Sequence, residues 1–85
     1  MKKIVAFYSA GAMNQQIMEI DVDKMESKEH NIPLTHLVDF IVSLQPDCVD
    51  LIGSPSFFQK YKDEIEKQAQ TKYSKKIEVN LKTRR

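Results

Sequence analysis

The chain has 85 residues, of which 41% are hydrophobic and 29% charged, and its formal net charge at pH 7 is +1. These values are ordinary for a soluble globular protein, and the length predicts a single domain, residues 1–85. So small a net charge gives the chain as a whole no strong electrostatic preference for nucleic acid or membrane.

A single cysteine, Cys48, excludes an intrachain disulfide and fits a reducing compartment. The apolar run at residues 4–8 is too short for a signal peptide, and no run approaches the roughly 20 apolar residues that span a bilayer. We therefore expect a cytoplasmic protein with no membrane contact.

The first part of the chain predicts a β-hairpin. Residues 3–8 form a β-branched and aromatic run that is typical of a central strand. Gly11 lies in the small, turn-like segment that follows and is free to take a positive φ. Apolar and acidic side chains then alternate over residues 15–23, which predicts a half-buried strand paired with the first. Its two faces carry Met18, Ile20 and Val22 on one side, and Glu19, Asp21 and Asp23 on the other.

A loop and a helix are predicted next. Residues 24–31 are polar and irregular, which indicates a loop. Ile32-Pro33 then opens a helix, because proline is tolerated in a first turn where its missing N–H is not needed. Pro46 ends this helix. Its apolar stripe consists of Leu34, Leu37, Val38, Ile41 and Leu44.

The strongest structural signal follows, in the second half of the chain. Residues 48–52 predict a buried third strand, and Gly53 turns the chain. Ser54 and Pro55 suit the N-cap and the first position of a second helix. The apolar face of that helix comprises Phe58, Tyr61, Ile65 and Ala69, and the closing strand alternates Ile77, Val79 and Leu81 with Glu78, Asn80 and Lys82.

The predicted element order is therefore ββαβαβ. Each strand–helix–strand step should cross over right-handed and place parallel strands side by side. The expected fold class is α/β, with a small mixed four-strand sheet and two helices.

Three carboxylates share one face of the second predicted strand: Glu19, Asp21 and Asp23. Oxygen ligands of this kind suit a divalent cation. Neighbours on one strand face lie nearly 7 Å apart, however, and no second element clearly supplies completing ligands. We favour a solvated strand face and expect no metal-dependent nuclease or phosphatase activity, although whether the row binds a cation stays open.

Histidine and cysteine provide no clear catalytic site. His30 and His36 do not share a helical face, because six residues correspond to about 240° of rotation. Cys48 has no local Cys or His partner, so we expect a small buried hydrophobe rather than a nucleophile.

Phe57 and Phe58 stand side by side at the start of the second helix and cannot both face the core. Phe58 continues the stripe with Tyr61. Phe57 then either packs under the preceding loop or contacts a partner, since an exposed aromatic side chain is a good interface anchor. The candidate protein-interface residues are Phe57, Phe58 and Tyr61.

Charge is segregated along the chain, with an acidic stretch at residues 19–29 and a basic C-terminal part. Such asymmetry steers a partner or joins two copies head to tail, and a solvated surface is the simpler alternative. The turn before the second helix also offers backbone N–H groups to an anion, although neither glycine-rich phosphate-binding pattern occurs. The candidate anion or nucleic-acid contacts are Ser54, Ser56, Lys72, Lys75, Lys76, Lys82, Arg84 and Arg85.

Residues 37–83 carry a recognisable pattern. It consists of the strand and turn Leu51-Ile52-Gly53-Ser54-Pro55, the pair Phe57-Phe58 and the strand Ile77-Glu78-Val79-Asn80-Leu81. This stretch resembles the bacterial host-attachment family, which is related to the central domain of archaeal and eukaryotic peptide-chain release factors. The resemblance implies a ribonuclease H-like fold, of whose sheet the predicted elements are one strand short.

The resemblance does not carry the activities of those relatives. Release-factor domains hold a Gly-Gly-Gln loop, whereas Gly11 is not followed by a second glycine. A metal-dependent ribonuclease H is expected to have an aspartate in its first strand, and residues 3–8 contain none.

The sequence therefore predicts a small non-enzymatic binding domain without a cofactor, which acts through protein–protein contacts as an adaptor, inhibitor or regulatory module. It lacks an acid–base pair, a nucleophile with a base and a metal cluster. The expected partner is another protein or a second copy in a homodimer, for which an edge strand offers a place for strand pairing. Two alternatives remain: a translation-related RNA- or ribosome-binding protein, and a degenerate metal-dependent ribonuclease H-like enzyme.

Overall fold

The structure of the protein, a computed structural model, describes residues 1–9 and 11–83. Within these ranges the elements are β1 (Lys2–Phe7), β2 (Asn14–Asp21), β3 (Glu26–Pro33), α1 (Leu37–Ser43), β4 (Cys48–Gly53), α2 (Pro55–Tyr73) and β5 (Glu78–Thr83), with a short 3₁₀ turn before α1. The α/β class is confirmed. The predicted number of four strands was wrong, because the described residues form five.

All five strands belong to one mixed sheet with the order β3-β2-β1-β4-β5. β1 pairs with β2 antiparallel, as the predicted hairpin requires, and β2 pairs with β3 antiparallel. β4 lies between β1 and β5 and is parallel to both. The two helical connections each join parallel strands and cross the sheet in the same direction. Right-handed crossovers therefore put α1 and α2 on the same face, where the two helices contact each other.

β3 is the strand that the sequence pattern did not reveal. Its residues, ESKEHNIP, are mostly exposed and polar, because β3 is an edge strand with a neighbour on one side only. Eight consecutive residue pairs with β2 hold it in place. Most of the segment predicted as a loop is therefore an edge strand, a position where charged side chains are common because they discourage pairing with other chains.

Pro33 ends β3 and does not open a helix. Its φ of −57° and ψ of 144° are extended values, and an edge strand tolerates the missing N–H. α1 begins only at Leu37 and ends before Pro46. The predicted stripe is nonetheless confirmed: Leu37 and Ile41 are fully buried, and Leu34, Val38 and Leu44 pack against the core.

The connection from β4 to α2 is as predicted. Ser54 is the N-cap and Pro55 the first residue of α2, although the Ser54 Oγ lies 2.9 Å from the Ser56 Oγ rather than on a helix N–H. At 19 residues, α2 is the longest helix in the described ranges. None of the helices there is both long and apolar enough to cross a membrane.

The hydrophobic core lies between the two helices and one face of the sheet. It is built almost entirely of Ile, Leu, Val, Ala and Phe side chains, which bury apolar area without leaving polar atoms unsatisfied. The sheet contributes Ile4, Ala6, Ile17, Val49, Leu51 and Val79; the helices contribute Leu37, Ile41, Val42, Phe58, Ile65 and Ala69; and Ile77 comes from the connection to β5.

Candidate binding face of the sheet

The sheet has two different faces, because successive side chains of a strand point to opposite sides. The core residues Ile4, Ala6 and Ile17 mark the face that α1 and α2 cover. No described helix covers the opposite face, which we call the open face. Its side chains form three rows across β3-β2-β1-β4-β5: Ser27, Ile20, Lys3, Cys48 and Glu78; Glu29, Met18, Val5, Asp50 and Asn80; and Asn31, Gln16, Phe7, Ile52 and Lys82.

The middle of the open face is hydrophobic. Five side chains on β2, β1 and β4 lie there, all partly exposed, and none belongs to the core or packs against it. Val22, which is 48% exposed, continues this surface beyond the end of β2. We call the five residues the apolar patch: Val5, Phe7, Met18, Ile20 and Ile52.

A buried carboxylate lies beside the apolar patch. Asp50 is only 3% exposed although it lies on the open face, because Lys3 and Lys82 extend over it. Their Nζ atoms are 3.1 Å and 3.2 Å from its Oδ2. Asn80 donates from its side-chain nitrogen to Asp50 Oδ1 at 3.2 Å. Both carboxylate oxygens therefore have partners, as a buried charge requires.

The charges of this cluster are fixed at neutral pH. Burial by itself would raise the pKa of Asp50, but the hydrogen bonds from Lys3, Asn80 and Lys82 outweigh it and hold the pKa below its ordinary value. The hydrogen bond to Asp50 raises the pKa of Lys3. Burial raises the pKa of the Cys48 thiol. The buried position of Cys48 agrees with the expectation of a small hydrophobe, and its thiol is neutral at pH 7.

We expect Asp50→Asn to lower the free energy of unfolding at pH 7 by about 1.5 to 3 kcal/mol, because hydrogen bonds to a charged group are lost. Since the folded-state pKa of Asp50 lies below its unfolded value of about 4, the wild-type contribution is present above that pH and is lost as pH falls through the folded-state pKa. Urea unfolding at pH 7 and pH 3 checks both points. The difference between wild type and variant should shrink at pH 3, while Asp63→Asn, on the exposed side of α2, should show little effect. An equal difference at both pH values would contradict the assigned role.

The carboxylates of β2 lie on the helix-covered side of the sheet. The alternation itself is confirmed, but Glu19 and Asp21 follow the buried Ile17, whereas Met18 and Ile20 are on the open face. The expected assignment of faces was therefore wrong, but Glu19 and Asp21 are still partly exposed and Asp23 is exposed. The buried residue Ile17 marks the core side of β2. It does not belong to the apolar face predicted from the sequence, which consists of Met18, Ile20 and Val22.

Each of the three carboxylates also has its own partner. Glu19 lies 3.2 Å from Lys2 Nζ and 3.1 Å from His30 Nε2, and the His30 hydrogen bond is the main reason that the pKa of Glu19 is below its ordinary value. Asp21 accepts the backbone N–H of Lys24. Asp23, in the turn after β2, pairs with the N-terminal amine.

A shallow cleft of about 500 Å³ adjoins these carboxylates. Its walls carry three acidic and two basic side chains, so opposite charges compensate each other in part: Lys2, Glu19, Asp21, Glu26, Ser27 and Lys28. In residues 1–9 and 11–83, no three His, Cys, Asp or Glu side chains converge so as to hold a metal ion. The absence of metal-dependent catalysis stays a prediction.

The aromatic residues predicted as an interface form one cluster around Tyr8. Phe57 stacks on Tyr8 with 3.9 Å between ring centroids and is 5.5 Å from the Tyr61 ring. Phe57 and Tyr61 are partly exposed, but Phe58 is 1% exposed and belongs to the core. The assignment of Phe58 to an interface was therefore wrong. Its position on the apolar stripe of α2 directs its side chain into the core.

The predicted basic residues do not form one surface. Lys75 bonds the carbonyl of Gln45 and the carboxylate of Asp47, near the start of β5. Lys82 lies over Asp50 near the end of that strand, about 13 Å along it from Glu78. Lys72 and Lys76 are exposed, whereas Arg84 and Arg85 lie outside the described residues. Ser54 and Ser56 bond each other through their hydroxyls.

The residues of the open face were missed because they lie on different strands. Asp50 gave the one usable signal, as a carboxylate in the middle of the apolar run CVDLIG. A central-strand carboxylate must be paired, and its partners Lys3, Asn80 and Lys82 could be identified only from the register. Comparison with known protein families, with curated proteins and with solved structures finds no match.

Proposed function

We propose that the protein is a small binding domain that docks an amphipathic helix of a partner protein on the open face of its sheet. The observation that carries this proposal is the apolar patch, which no described helix covers. Sheets bury their apolar faces under helices or other sheets, and the opposite face of this sheet is already covered by α1 and α2. The unburied apolar area is therefore available to a partner.

The dimensions of the apolar patch support a single helix as the ligand. The patch reaches over three rows, about 13 Å along the strands, and over three strands, about 10 Å between the outer strand axes. An α-helix with its side chains is about 10–12 Å across. One helix thus covers the patch in width, and two to three of its turns cover the patch in length.

The charges beside the apolar patch favour one orientation. Glu29 flanks it on the β3 side and accepts a hydrogen bond from Gln16. Lys82 flanks it on the β5 side, and 56% of its side chain is exposed although it pairs with Asp50. A bound helix with basic residues toward β3 and acidic residues toward β5 complements both, which favours that orientation over the reverse.

We also propose that the fold is ribonuclease H-like. Support comes from the five strands, which include the one that the sequence-based prediction was short of, and from the two crossover helices. Fold alone does not determine function. The RNA- or ribosome-binding and enzymatic alternatives stay predictions, and the dispersed lysines and individually paired carboxylates do not favour them.

Met18→Lys tests the docking proposal without removing a core side chain. Met18 faces Glu29 directly across the β2–β3 pair, so a lysine there gains an opposite charge within the fold but interrupts the apolar patch. Thr71→Lys, on the exposed side of α2, makes the same charge change elsewhere. Proteins captured from the native host by wild type and by both variants are compared quantitatively.

We expect that wild type and Thr71→Lys capture the same partner protein in equal amounts. Met18→Lys should capture at least about tenfold less of it, which corresponds to about 1.4 kcal/mol of binding free energy. Circular dichroism confirms that all three chains are folded. Equal capture by Met18→Lys would rule out the open face as the docking surface. Capture that depends instead on RNA and falls steeply with salt would favour the nucleic-acid alternative.

A further inference from the structure

The two edges of the sheet differ in their capacity to pair with another strand. β3 ends in Pro33, which has no backbone N–H to donate, and its first half carries the charged residues Glu26, Lys28 and Glu29. β5, with the sequence EVNLKT, contains no proline, and no strand among the described residues lies beyond it. β5 is therefore the edge at which the sheet can be extended.

The backbone of β5 presents a defined set of free hydrogen-bonding groups. Glu78 donates its N–H to the carbonyl of Asp47, on the β4 side, at 3.3 Å. Because backbone groups alternate in direction along a strand of a parallel ladder, Val79, Leu81 and Thr83 point their N–H and C=O groups outward.

The side chains of β5 are self-complementary in one antiparallel register. When Asn80 faces Asn80 of a second copy, Val79 and Leu81 of one chain exchange hydrogen bonds with Leu81 and Val79 of the other. Glu78 then faces Lys82 of the second copy, twice by symmetry. These are non-hydrogen-bonded pairs, in which Cα atoms are only about 4.5 Å apart and side chains are close. If one strand is shifted by two residues relative to the other, the backbone hydrogen bonds still form, but both Glu78–Lys82 pairs are lost.

We propose that two copies of the chain associate edge to edge through β5, in the antiparallel register centred on Asn80. The twofold axis is then normal to the sheet, which continues over ten strands. The two α2 helices flank the joint on one side, and the two open faces lie next to each other on the other side. Such a dimer presents two equal surfaces in one plane to a bivalent partner. The joint lies at the β5 edge and shares only Lys82 with the residues that the docking proposal uses, so the proposal stands without the docking of a helix.

Charge exchange at the joint provides the test, with analytical ultracentrifugation at low salt over a micromolar dilution series. Wild type should dimerise. Glu78→Lys places a lysine opposite Lys82 in both pairs and should weaken the dimer by at least about tenfold. Lys82→Glu places a glutamate opposite Glu78 in both pairs and should weaken the dimer to a similar extent. A mixture of the two variants restores both charge pairs, so it should form a heterodimer with the affinity of wild type.

Glu26→Lys is the matched control, since it makes the same charge change on the other edge strand and should leave the dimer intact. Lys82 also pairs with Asp50, so the melting temperature of each variant is measured first. If Lys82→Glu does not fold, the comparison of Glu78→Lys with Glu26→Lys decides alone. A monomeric wild type at all concentrations, or a dimer that Glu78→Lys leaves unchanged, would overturn the proposal.

Discussion

Phe58→Ala is expected to lower the free energy of unfolding by about 3 to 5 kcal/mol, because a large, fully buried aromatic side chain is lost. The Phe58 ring is 1% exposed and packs edge-on against Tyr8, with 5.9 Å between ring centroids. Removing it leaves a cavity beneath the start of α2 that the surrounding side chains fill only in part. A domain of this length has a total stability of about 4 to 13 kcal/mol, so the variant should lose at least about a quarter of it.

Urea unfolding at 25 °C measures the effect, and Phe57→Ala is the natural control. Phe57 stacks on Tyr8 but is partly exposed, so its truncation removes less buried area and should cost less. If Phe58→Ala cost under about 1 kcal/mol, the residue would not be the centre of the core that its burial indicates.

Gly53→Ala is expected to cost about 2 to 4 kcal/mol, because backbone strain and a steric conflict add. Gly53 has a φ of +155°, and a Cβ there would lie 3.0 Å from Tyr8 Cβ and 3.1 Å from Phe58 Cε2. Tyr8 Cβ is attached to the backbone just after β1, where the Tyr8 N–H donates to the carbonyl of Ile52 at 3.0 Å, so it cannot give way easily. The close approach of β4, β1 and α2 thus depends on the absence of a side chain at this position.

Gly11→Ala separates the two contributions. Its φ is +80°, but a Cβ there would have no heavy atom within 4 Å, so only the backbone strain of about 1 to 2 kcal/mol applies. Thermal and urea unfolding of both variants give the comparison. Equal losses would mean that the contact with Tyr8 and Phe58 contributes nothing.

The elements that the sequence predicted well are those with two-sided burial or a clear stripe. β4 and α2 combine an apolar run, a glycine turn, an N-cap position and a helical stripe, and these signals agree with one another. β3 had none of them, because an edge strand buries little and is held mainly by backbone pairing with β2. Its polar composition is therefore compatible with a loop until the partner strand is known.

The candidate site could not be derived from spacing along the chain. Val5, Met18 and Ile52 are neighbours only because of the register of three strands. The side of β2 that faces the core also depends on one buried residue, Ile17, since a shift by one residue exchanges the two faces of a strand. Predicted sites that relied on local sequence did not stay together in the structure. Phe58 belongs to the core whereas Phe57 is partly exposed, and Lys75 and Lys82 form separate ion pairs.

Site-specific photo-crosslinking tests the central claim most directly. A photoreactive amino acid at position 18 reports contacts of the open face, and the same residue at position 71 reports contacts of the exposed side of α2. In the native host, we predict one protein cross-linked from position 18 and absent from position 71, with the linked peptide located in an amphipathic helix of that protein. Cross-linking from position 71 alone, or no product from position 18, would contradict the claim that the open face is the binding surface.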